Sequence, residues 1–133
     1  MTISPRKDIE ILKDIFGFDK YLPNQENIIL SILNKKNVLT VMPTGSGKSL
    51  LYQLPSLLFD GLTLVVSPLI SLMKDQVDEL IQLGIEARSL NSSHSPAENN
   101  NTINLIKNNK LKILYIAPER LLQPDTFSIF KHT

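Results

Sequence analysis

Short apolar runs alternate along this chain with segments that have helical periodicity. Each run is rich in branched residues and is bounded by glycine, proline or polar residues. Runs that are apolar on both sides are typical of strands buried on both faces of a parallel sheet. The helical segments between them can serve as the crossovers that parallel strands require. The alternation therefore predicts an α/β fold, in which a parallel sheet carries helices on both of its faces.

The same periodicity predicts where the elements lie. The predicted strands are 38–42, 62–66, 85–90 and 111–117. The predicted helices lie over 9–16, 23–33, 48–59, 69–83, a segment that begins at 96, and 126–131. Gly17 and Gly84 are placed to end two of these helices, and Pro55 is expected to kink or shorten a third. A chain of 133 residues is expected to form one domain around one core.

Composition narrows the function classes only a little. The net charge of +1 gives no argument for a polyanionic partner, so any binding of a polyanion has to be local. The absence of cysteine excludes disulfides and thiolate metal sites and fits a reducing cytoplasm. His94 and His132 have no partners at ligand spacing and are expected to be surface residues. Residues 1–8 lack the apolar core of a signal peptide, and no apolar stretch reaches the ~18 residues of a membrane span. We therefore expect a soluble, cytoplasmic protein.

The predicted turn at 43–49, between a predicted strand and a predicted helix, is rich in glycine and in residues with hydroxyl groups. The two glycines let successive backbone amides turn towards phosphate oxygens, and the following helix adds its positive end. Lys48 can reach the outer phosphates, and the Ser49 hydroxyl can ligate magnesium. A strict phosphate loop has glycine where Met42 stands, and the alternative is a turn that only links strand to helix. The intact Gly-Lys-Ser order favours a nucleotide site. The residues predicted to contact the nucleotide are Thr44, Gly45, Ser46, Gly47, Lys48, Ser49 and Leu50.

A phosphate loop alone leaves kinases, small GTPases and helicases open. Five segments resemble, in the same order, motifs in the N-terminal ATPase lobe of RecQ-type DNA helicases: 16–25, 42–55, 65–77, 90–92 and 115–121. Together they are far more specific than any single motif. The fold implied by this resemblance is an incomplete RecA-like P-loop NTPase lobe. It would consist of an N-terminal helical segment over 1–36 and a partial ATP-binding domain over 37–133.

The resemblance implies ATP and Mg²⁺ as cofactors. It implies that Lys48 and Ser49 are catalytic residues, that Ser49 holds the metal through its hydroxyl, and that Gln25 reads the adenine edge. This chain has Leu22 where the family has an arginine that packs on the base, and Asn24 where the family has a glycine. Taken without its neighbours, Gln25 is better interpreted as a solvated residue in the first turn of a helix.

The resemblance also implies contacts with single-stranded and duplex DNA. The residues concerned are Ser67, Pro68, Lys74, Asn91 and Arg120. Such contacts would hold the phosphate backbone without reading sequence. For Lys74 the alternative is a solvated lysine on a helix surface, and for Arg120 it is an ion pair with Glu119 or another neighbour.

Hydrolysis in this family also needs an acidic strand-end motif and a finger arginine. The sequence ends before any DEAH-type motif, so we expect the N-terminal fragment of an ATP-dependent DNA helicase that translocates on single-stranded DNA and unwinds duplexes. The fragment alone is expected to bind nucleotide at most. Roles in DNA repair and recombination follow only from the family. The alternatives are a superfamily 2 RNA helicase, which normally has Pro-Thr-Arg-Glu-Leu in place of 67–71, and a non-catalytic nucleotide-binding module.

Overall fold

The computed structural model describes residues 6–43 and 47–131. The chain forms two compact units, Met1–Asp60 and Gly61–Thr133. This division differs from the single core expected from the length, and it falls after Asp60 rather than after residue 36. Each unit has a hydrophobic cluster of its own, built from helices in the first unit and around a sheet in the second.

The first unit is helical. It contains α1 (Lys7–Asp14), α2 (Gln25–Leu33) and α3 (Leu50–Ser56). The buried apolar side chains of its cluster are Leu12, Ile29, Leu50, Leu51 and Leu54. Gly17, just beyond α1, has a φ of 77°, in the left-handed region that ends helices, as the sequence predicted. The helix α3 ends one residue after Pro55, so the proline shortens the predicted helix 48–59 as expected.

The predicted strand over 38–42 is wrong, because this segment is irregular in the structure. Leu39 is 94% exposed and Val41 is 92% exposed, whereas the sequence pattern predicted that both are buried. A strand forms where its backbone N–H and C=O groups pair with a neighbouring strand. No strand of the described residues pairs with this segment. The apolar pattern indicates side chains that suit a sheet, but it does not supply the pairing.

The second unit is a parallel sheet with helices. Within residues 61–131 its strands are β1 (Thr63–Val66), β2 (Ala87–Leu90) and β3 (Ile113–Ile116), in the spatial order β1-β3-β2. Its helices are α4 (Ile70–Gln82), α5 (Pro96–Lys107), α6 (Pro118–Leu121) and α7 (Thr126–Ile129). All strand pairs are parallel, and α4 and α5 are the crossovers between consecutive strands. The predicted α/β class is confirmed, and the arrangement is that expected of part of a RecA-like lobe.

The central strand β3 carries the core of the second unit. All four of its residues are buried. Leu114 and Ile116 belong to a hydrophobic cluster that also contains residues of α5 and α7. From the other face of the strand, the Tyr115 hydroxyl donates a hydrogen bond of 3.4 Å to the side-chain oxygen of Gln76 in α4. Both faces of β3 are therefore covered, as the continuous apolar run predicted.

Local signals set the ends of the two long helices. The Ser95 hydroxyl accepts a hydrogen bond of 3.2 Å from the Glu98 backbone N–H, and Pro96 is the first residue of α5. Gly84 has a φ of 84° and follows the end of α4. The short helix α6 was not predicted. No helix in the described ranges is both long and apolar enough to span a bilayer.

Candidate functional site

The structure describes the predicted phosphate loop only in part. Three of its residues lie outside the described ranges: Thr44, Gly45 and Ser46. Gly47 has a φ of 79°, a conformation that favours glycine. Lys48 is exposed, and Ser49 directly precedes α3. Leu50 buries its side chain in the core of the first unit, so its predicted contact with a nucleotide is open only to its backbone.

Gln25 lies against this loop. The side chain is only 3% exposed, so the interpretation of Gln25 as a solvated helix residue is wrong. Its Nε2 donates a hydrogen bond of 3.0 Å to the Gly47 carbonyl, and its Oε1 accepts one of 2.7 Å from the Leu22 N–H. A Cβ atom on residue 47 would overlap the Gln25 amide. The structure thus brings the predicted adenine-side residue and the phosphate loop together.

The two departures from the family pattern have different consequences. Asn24, in place of glycine, has a φ of 71° at the start of α2. Asparagine is one of the few residues other than glycine that adopt this left-handed conformation readily, so the turn into the helix is kept. Leu22, in place of arginine, is 50% exposed and provides no planar cation to lie on a base. Residue 22 could therefore offer a base no more than an apolar contact.

A buried carboxylate at the start of α1 contacts the segment that precedes Gln25. Asp8 is 4% exposed and accepts two hydrogen bonds of 2.9 Å from Arg6 and one of 2.6 Å from the Tyr21 hydroxyl. Arg6 also lies 3.0 Å from Glu26. The hydrogen bonds from Arg6 lower the pKa of Asp8 below its ordinary 3.8, although burial opposes this. Burial, and then the hydrogen bond to Asp8, raise the pKa of Tyr21 above its ordinary 10.0.

Sequence analysis missed this cluster. The available signal was the position of Asp8, which lies four residues before the buried Leu12 and therefore on the same face of α1. A charged residue on the apolar face of a helix usually requires a partner.

In the second unit, the carboxyl ends of the parallel strands meet at one edge of the sheet. Ser67 follows β1, Asn91 follows β2 and Ala117 follows β3. Three of the segments predicted to contact DNA therefore lie at the same edge, which is where open α/β sheets bind ligands. A hollow of about 270 Å³ opens there. Its lining includes Ile70, Asn91, Ser92, Ala117, Glu119 and Arg120.

The residues predicted after β1 are accessible to different degrees. The Ser67 hydroxyl accepts a hydrogen bond of 3.2 Å from the Leu69 N–H and so holds the turn at the exposed Pro68. Lys74, whose side chain is 77% exposed, forms an ion pair of 2.9 Å with Asp78 one turn along α4. This hydrogen-bonded pair raises the pKa of Lys74. Lys74 is therefore accessible to a polyanion but already has an acidic neighbour.

Asn91 shapes its loop from the inside. It is 2% exposed, and its Oδ1 accepts a hydrogen bond of 2.9 Å from the Ser93 N–H. Its Nδ2 points at the Met73 sulfur, 3.8 Å away. The exposed residue at this position of the loop is Ser92. A direct contact between the Asn91 side chain and DNA would need the loop to open, so this contact stays a prediction.

Arg120 joins α6 to α7. Its Nη1 donates a hydrogen bond of 2.7 Å to Thr126 Oγ1, and the Thr126 hydroxyl donates one of 2.6 Å back to the Arg120 carbonyl. The same Nη1 lies 3.4 Å from Asp125, so the guanidinium has an acidic partner, although not the neighbouring Glu119. The Arg120 side chain is 15% exposed at the hollow. Contact with DNA stays a prediction for this residue as well.

His94 was expected to be a surface residue, but its side chain contacts two other elements. Its Nε2 lies 2.7 Å from Ser89 Oγ in β2, and its Nδ1 lies 2.8 Å from Glu98 in the first turn of α5. The histidine thus links a strand to the helix that follows it, and the i,i+4 spacing of His94 and Glu98 was the missed signal. His132 lies outside the described residues. Across 6–43 and 47–131, no three His, Cys, Asp or Glu side chains are grouped so as to hold a metal ion.

Comparison with known proteins agrees with these motifs. The chain is 46% identical over 125 residues to the ATP-dependent DNA helicase RecQ of Haemophilus influenzae, covering 94% of this chain and 20% of that protein. It is 46% identical over 122 residues to the Bacillus subtilis protein of the same name, covering 91% of this chain and 21% of the relative. It is 45% identical over 119 residues to the rat ATP-dependent DNA helicase Q1, covering 88% of this chain and 19% of that protein. The chain thus spans about a fifth of the length of these relatives. The family model for the DEAD/DEAH box helicase matches residues 22–132, and the chain therefore belongs to the DEAD/DEAH box helicase family.

Proposed function

We propose that this chain is the ATP-binding front part of the first motor lobe of a RecQ-type, ATP-dependent DNA helicase. The whole protein would couple ATP binding and hydrolysis to movement along single-stranded DNA and to duplex unwinding. The chain by itself would bind nucleotide without hydrolysing it, because hydrolysis also needs an acidic residue that orients water and an arginine from outside these segments. A cytoplasmic location and a role in DNA repair and recombination belong to the same proposal.

The hydrogen bond between Gln25 and Gly47 is the observation that carries the nucleotide site. It joins a buried amide to the phosphate loop across 22 positions of sequence. An amide presents one donor and one acceptor side by side, which matches the edge of adenine. Both ends of the Gln25 amide are bound to backbone, so it would read a base through the second N–H and the second lone pair that an amide has. Because the side chain is 3% exposed, this contact would need the surrounding chain to open, as for Asn91.

The roles of the loop residues follow from their chemistry. Lys48, exposed two residues before α3, would neutralise the outer phosphates. Mg²⁺ is usually held by one or two protein oxygens together with phosphate oxygens and water, so the hydroxyl of Ser49 suits it as a ligand. The metal would supply charge neutralisation on the phosphates. Backbone amides of Thr44, Gly45 and Ser46 would complete the phosphate contacts.

The sheet edge of the second unit is the proposed DNA surface. It offers the exposed Ser92 and the partly exposed Arg120 at one hollow, and the turn at Ser67 and Pro68 after β1. Hydroxyls, backbone amides and a guanidinium can bind phosphates without reading bases. The surface is not strongly basic, since Lys74 and Arg120 each have an acidic partner. Sequence-independent binding to one strand fits this modest charge.

The test uses the full-length protein that contains this chain. Lys48→Ala should abolish ATP-driven strand separation, and Gln25→Ala should weaken ATP more than tripolyphosphate. Unchanged unwinding by Lys48→Ala would refute the proposal. Competition between DNA and RNA duplexes distinguishes the proposed activity from an RNA helicase, since an RNA helicase would unwind the RNA duplex preferentially. A full-length protein that binds ATP but never hydrolyses it would instead be a non-catalytic nucleotide-binding module.

A further inference from the structure

We propose that Asp8 and Tyr21 are positioning residues that set the adenine preference of this site by holding the segment that orients the Gln25 amide. The inference rests on the proposed function, because it concerns how the same nucleotide site chooses its base. Neither residue is expected to touch the nucleotide. Their action is through the backbone on either side of Gln25.

Asp8 has the properties of a fixed anchor. Its carboxylate is 4% exposed and accepts two hydrogen bonds from one edge of the Arg6 guanidinium, donated by Nε and Nη2, and one from the Tyr21 hydroxyl. A buried carboxylate is costly unless it is paired and hydrogen-bonded, and here both conditions are met. The planar guanidinium and the short bond from Tyr21 fix the carboxylate in one orientation. The start of α1 thus provides a rigid point of attachment.

The anchor holds the adenine-side segment at two places. Tyr21 is attached to Asp8 and is followed directly by Leu22, whose N–H donates to Gln25 Oε1 at 2.7 Å. Glu26, the residue after Gln25, lies 3.0 Å from the guanidinium of Arg6. The backbone is therefore tied to α1 just before and just after the residue that carries the amide. Movement of Tyr21 would move the donor that aligns Gln25 Oε1.

Base recognition in this chain depends strongly on that alignment. Leu22 cannot lie on the base as a cation, so the orientation of the Gln25 amide has to carry more of the preference for adenine. An amide distinguishes adenine from guanine only if its oxygen and nitrogen are held in one order, because adenine presents an acceptor (N7) and a donor (N6) where guanine presents two acceptors (N7 and O6). A glutamine that is free to rotate would accept both bases. Loosening the anchor should therefore lower discrimination and leave the affinity for phosphates unchanged.

The experiment measures the affinities of ATP, GTP and tripolyphosphate for full-length variants, with KM and kcat for ATP and GTP hydrolysis. Tyr21→Phe removes one hydroxyl and keeps the ring, and Asp8→Asn keeps the shape but removes the charge. We expect each to reduce the preference for ATP over GTP by roughly threefold to tenfold, the range that corresponds to the net loss of one ordinary hydrogen bond. The change should appear in KM, with kcat for ATP and affinity for tripolyphosphate unchanged.

Matched controls come from the same chain. Asp19→Asn makes the same chemical change at an exposed carboxylate two residues before Tyr21, and Tyr115→Phe removes a hydroxyl in the second unit. Both should keep the wild-type preference. An unaltered ATP-to-GTP ratio in Tyr21→Phe, with the ratio lost in Gln25→Ala, would overturn the inference and leave the proposed function standing. Equal weakening of all three ligands by Tyr21→Phe would also overturn it, since that result indicates only a structural role. Failure of the proposed function itself would appear separately, as Lys48→Ala that still hydrolyses ATP.

Discussion

The Gln25 side-chain amide occupies the space that a Cβ atom on residue 47 would need, and it donates a hydrogen bond of 3.0 Å to the carbonyl of Gly47. Gly47 is thus required twice, once for its φ of 79° and once for the close approach of the amide. Gly17, with a φ of 77°, has no atom within 4 Å of such a Cβ. Both glycines have a backbone conformation that disfavours a side chain, but only at Gly47 would a side chain also collide with a neighbour. Comparing substitutions at the two positions therefore separates the two effects.

Gly47→Ala should destabilise the chain and weaken nucleotide binding. A side chain in the left-handed conformation costs roughly 1–2 kcal/mol, and at residue 47 it must also displace Gln25. Gly17→Ala is the control, since it carries the conformational cost without the crowding. Thermal unfolding should show a loss of stability in both variants. Titration with ATP should show weaker binding only for Gly47→Ala. Equal ATP affinities of the two variants would contradict the role of the close approach.

A double variant tests the same contact more directly. If the Gln25 amide is what the new methyl group meets, Gly47→Ala should cost less stability in a Gln25→Ala background than in the wild type. The difference defines a coupling energy between the two residues. Additive losses in thermal or urea unfolding would show that the crowding is not with Gln25.

The Asp8 cluster predicts a loss of stability in acid. The pKa of Asp8 is below its ordinary 3.8 in the folded chain, mainly because of its hydrogen bonds from Arg6. This stabilisation is present above the unfolded pKa and is lost as the pH falls below about 4, through the folded pKa. Asp8→Asn should therefore lower the melting temperature at neutral pH and flatten its dependence on pH in this acidic range. Asp19→Asn should keep the wild-type profile, and identical profiles for all three proteins would refute the prediction.

The pairing of Lys74 with Asp78 makes a prediction about salt. If Lys74 binds a DNA phosphate in the full-length protein, Lys74→Gln should reduce the slope of log affinity against log salt by about 0.7 for single-stranded DNA. Asp78→Asn should strengthen binding, because it removes the acid that competes for the lysine. Lys13→Gln, which changes an exposed lysine of α1, is the control. A slope that Lys74→Gln leaves unaltered would assign this residue to the solvated helix surface.

The link between Arg120 and Thr126 predicts a stability effect. Thr126 is fully buried, and its hydroxyl both accepts from the guanidinium and donates to the Arg120 carbonyl. Thr126→Val keeps the shape but removes both hydrogen bonds, while the guanidinium keeps Asp125 and the Arg120 carbonyl keeps the Gln123 N–H. The loss should therefore cost roughly 0.5–1.5 kcal/mol for each hydrogen bond. Thr126→Ser keeps the hydroxyl and should cost less. Urea unfolding of the chain measures both, and a Val variant as stable as the wild type would contradict the role of this link.

The exposed segment 38–42 predicts association of the isolated chain. Leu39 and Val41 are almost fully exposed. A segment with apolar side chains and no strand partner is a template for pairing between molecules. Leu39→Thr with Val41→Thr should lower the tendency of the 133-residue chain to self-associate. Sedimentation or light scattering over a range of concentrations would measure this. Equal association of the double variant and the wild type would point to another surface.

Features that depend on neighbouring residues, such as helix ends, could be predicted from the sequence. Features that depend on a strand partner far away in the sequence could not. Ser95 and Gly84 act within one turn of their own helices, so their effect can be predicted from the sequence alone. Leu39 has the right side chain for a strand, but its conformation depends on a partner elsewhere. The same distinction applies to the candidate site. The phosphate loop and Gln25 were predicted from motifs, whereas the Asp8–Tyr21 contact joins α1 to a loop 13 residues away and has no motif.

The spatial order of the sheet also bears on how the second unit is made. Among the strands of residues 61–131, β1 and β2 do not pair with each other, and each pairs with β3, which follows both of them in the sequence. During synthesis neither early strand has its native hydrogen-bonding partner until residue 116 has emerged from the ribosome. The three strands therefore cannot pair before β3 is made, and until then the apolar strands β1 and β2 depend on α4 and α5, or on chaperones, for cover.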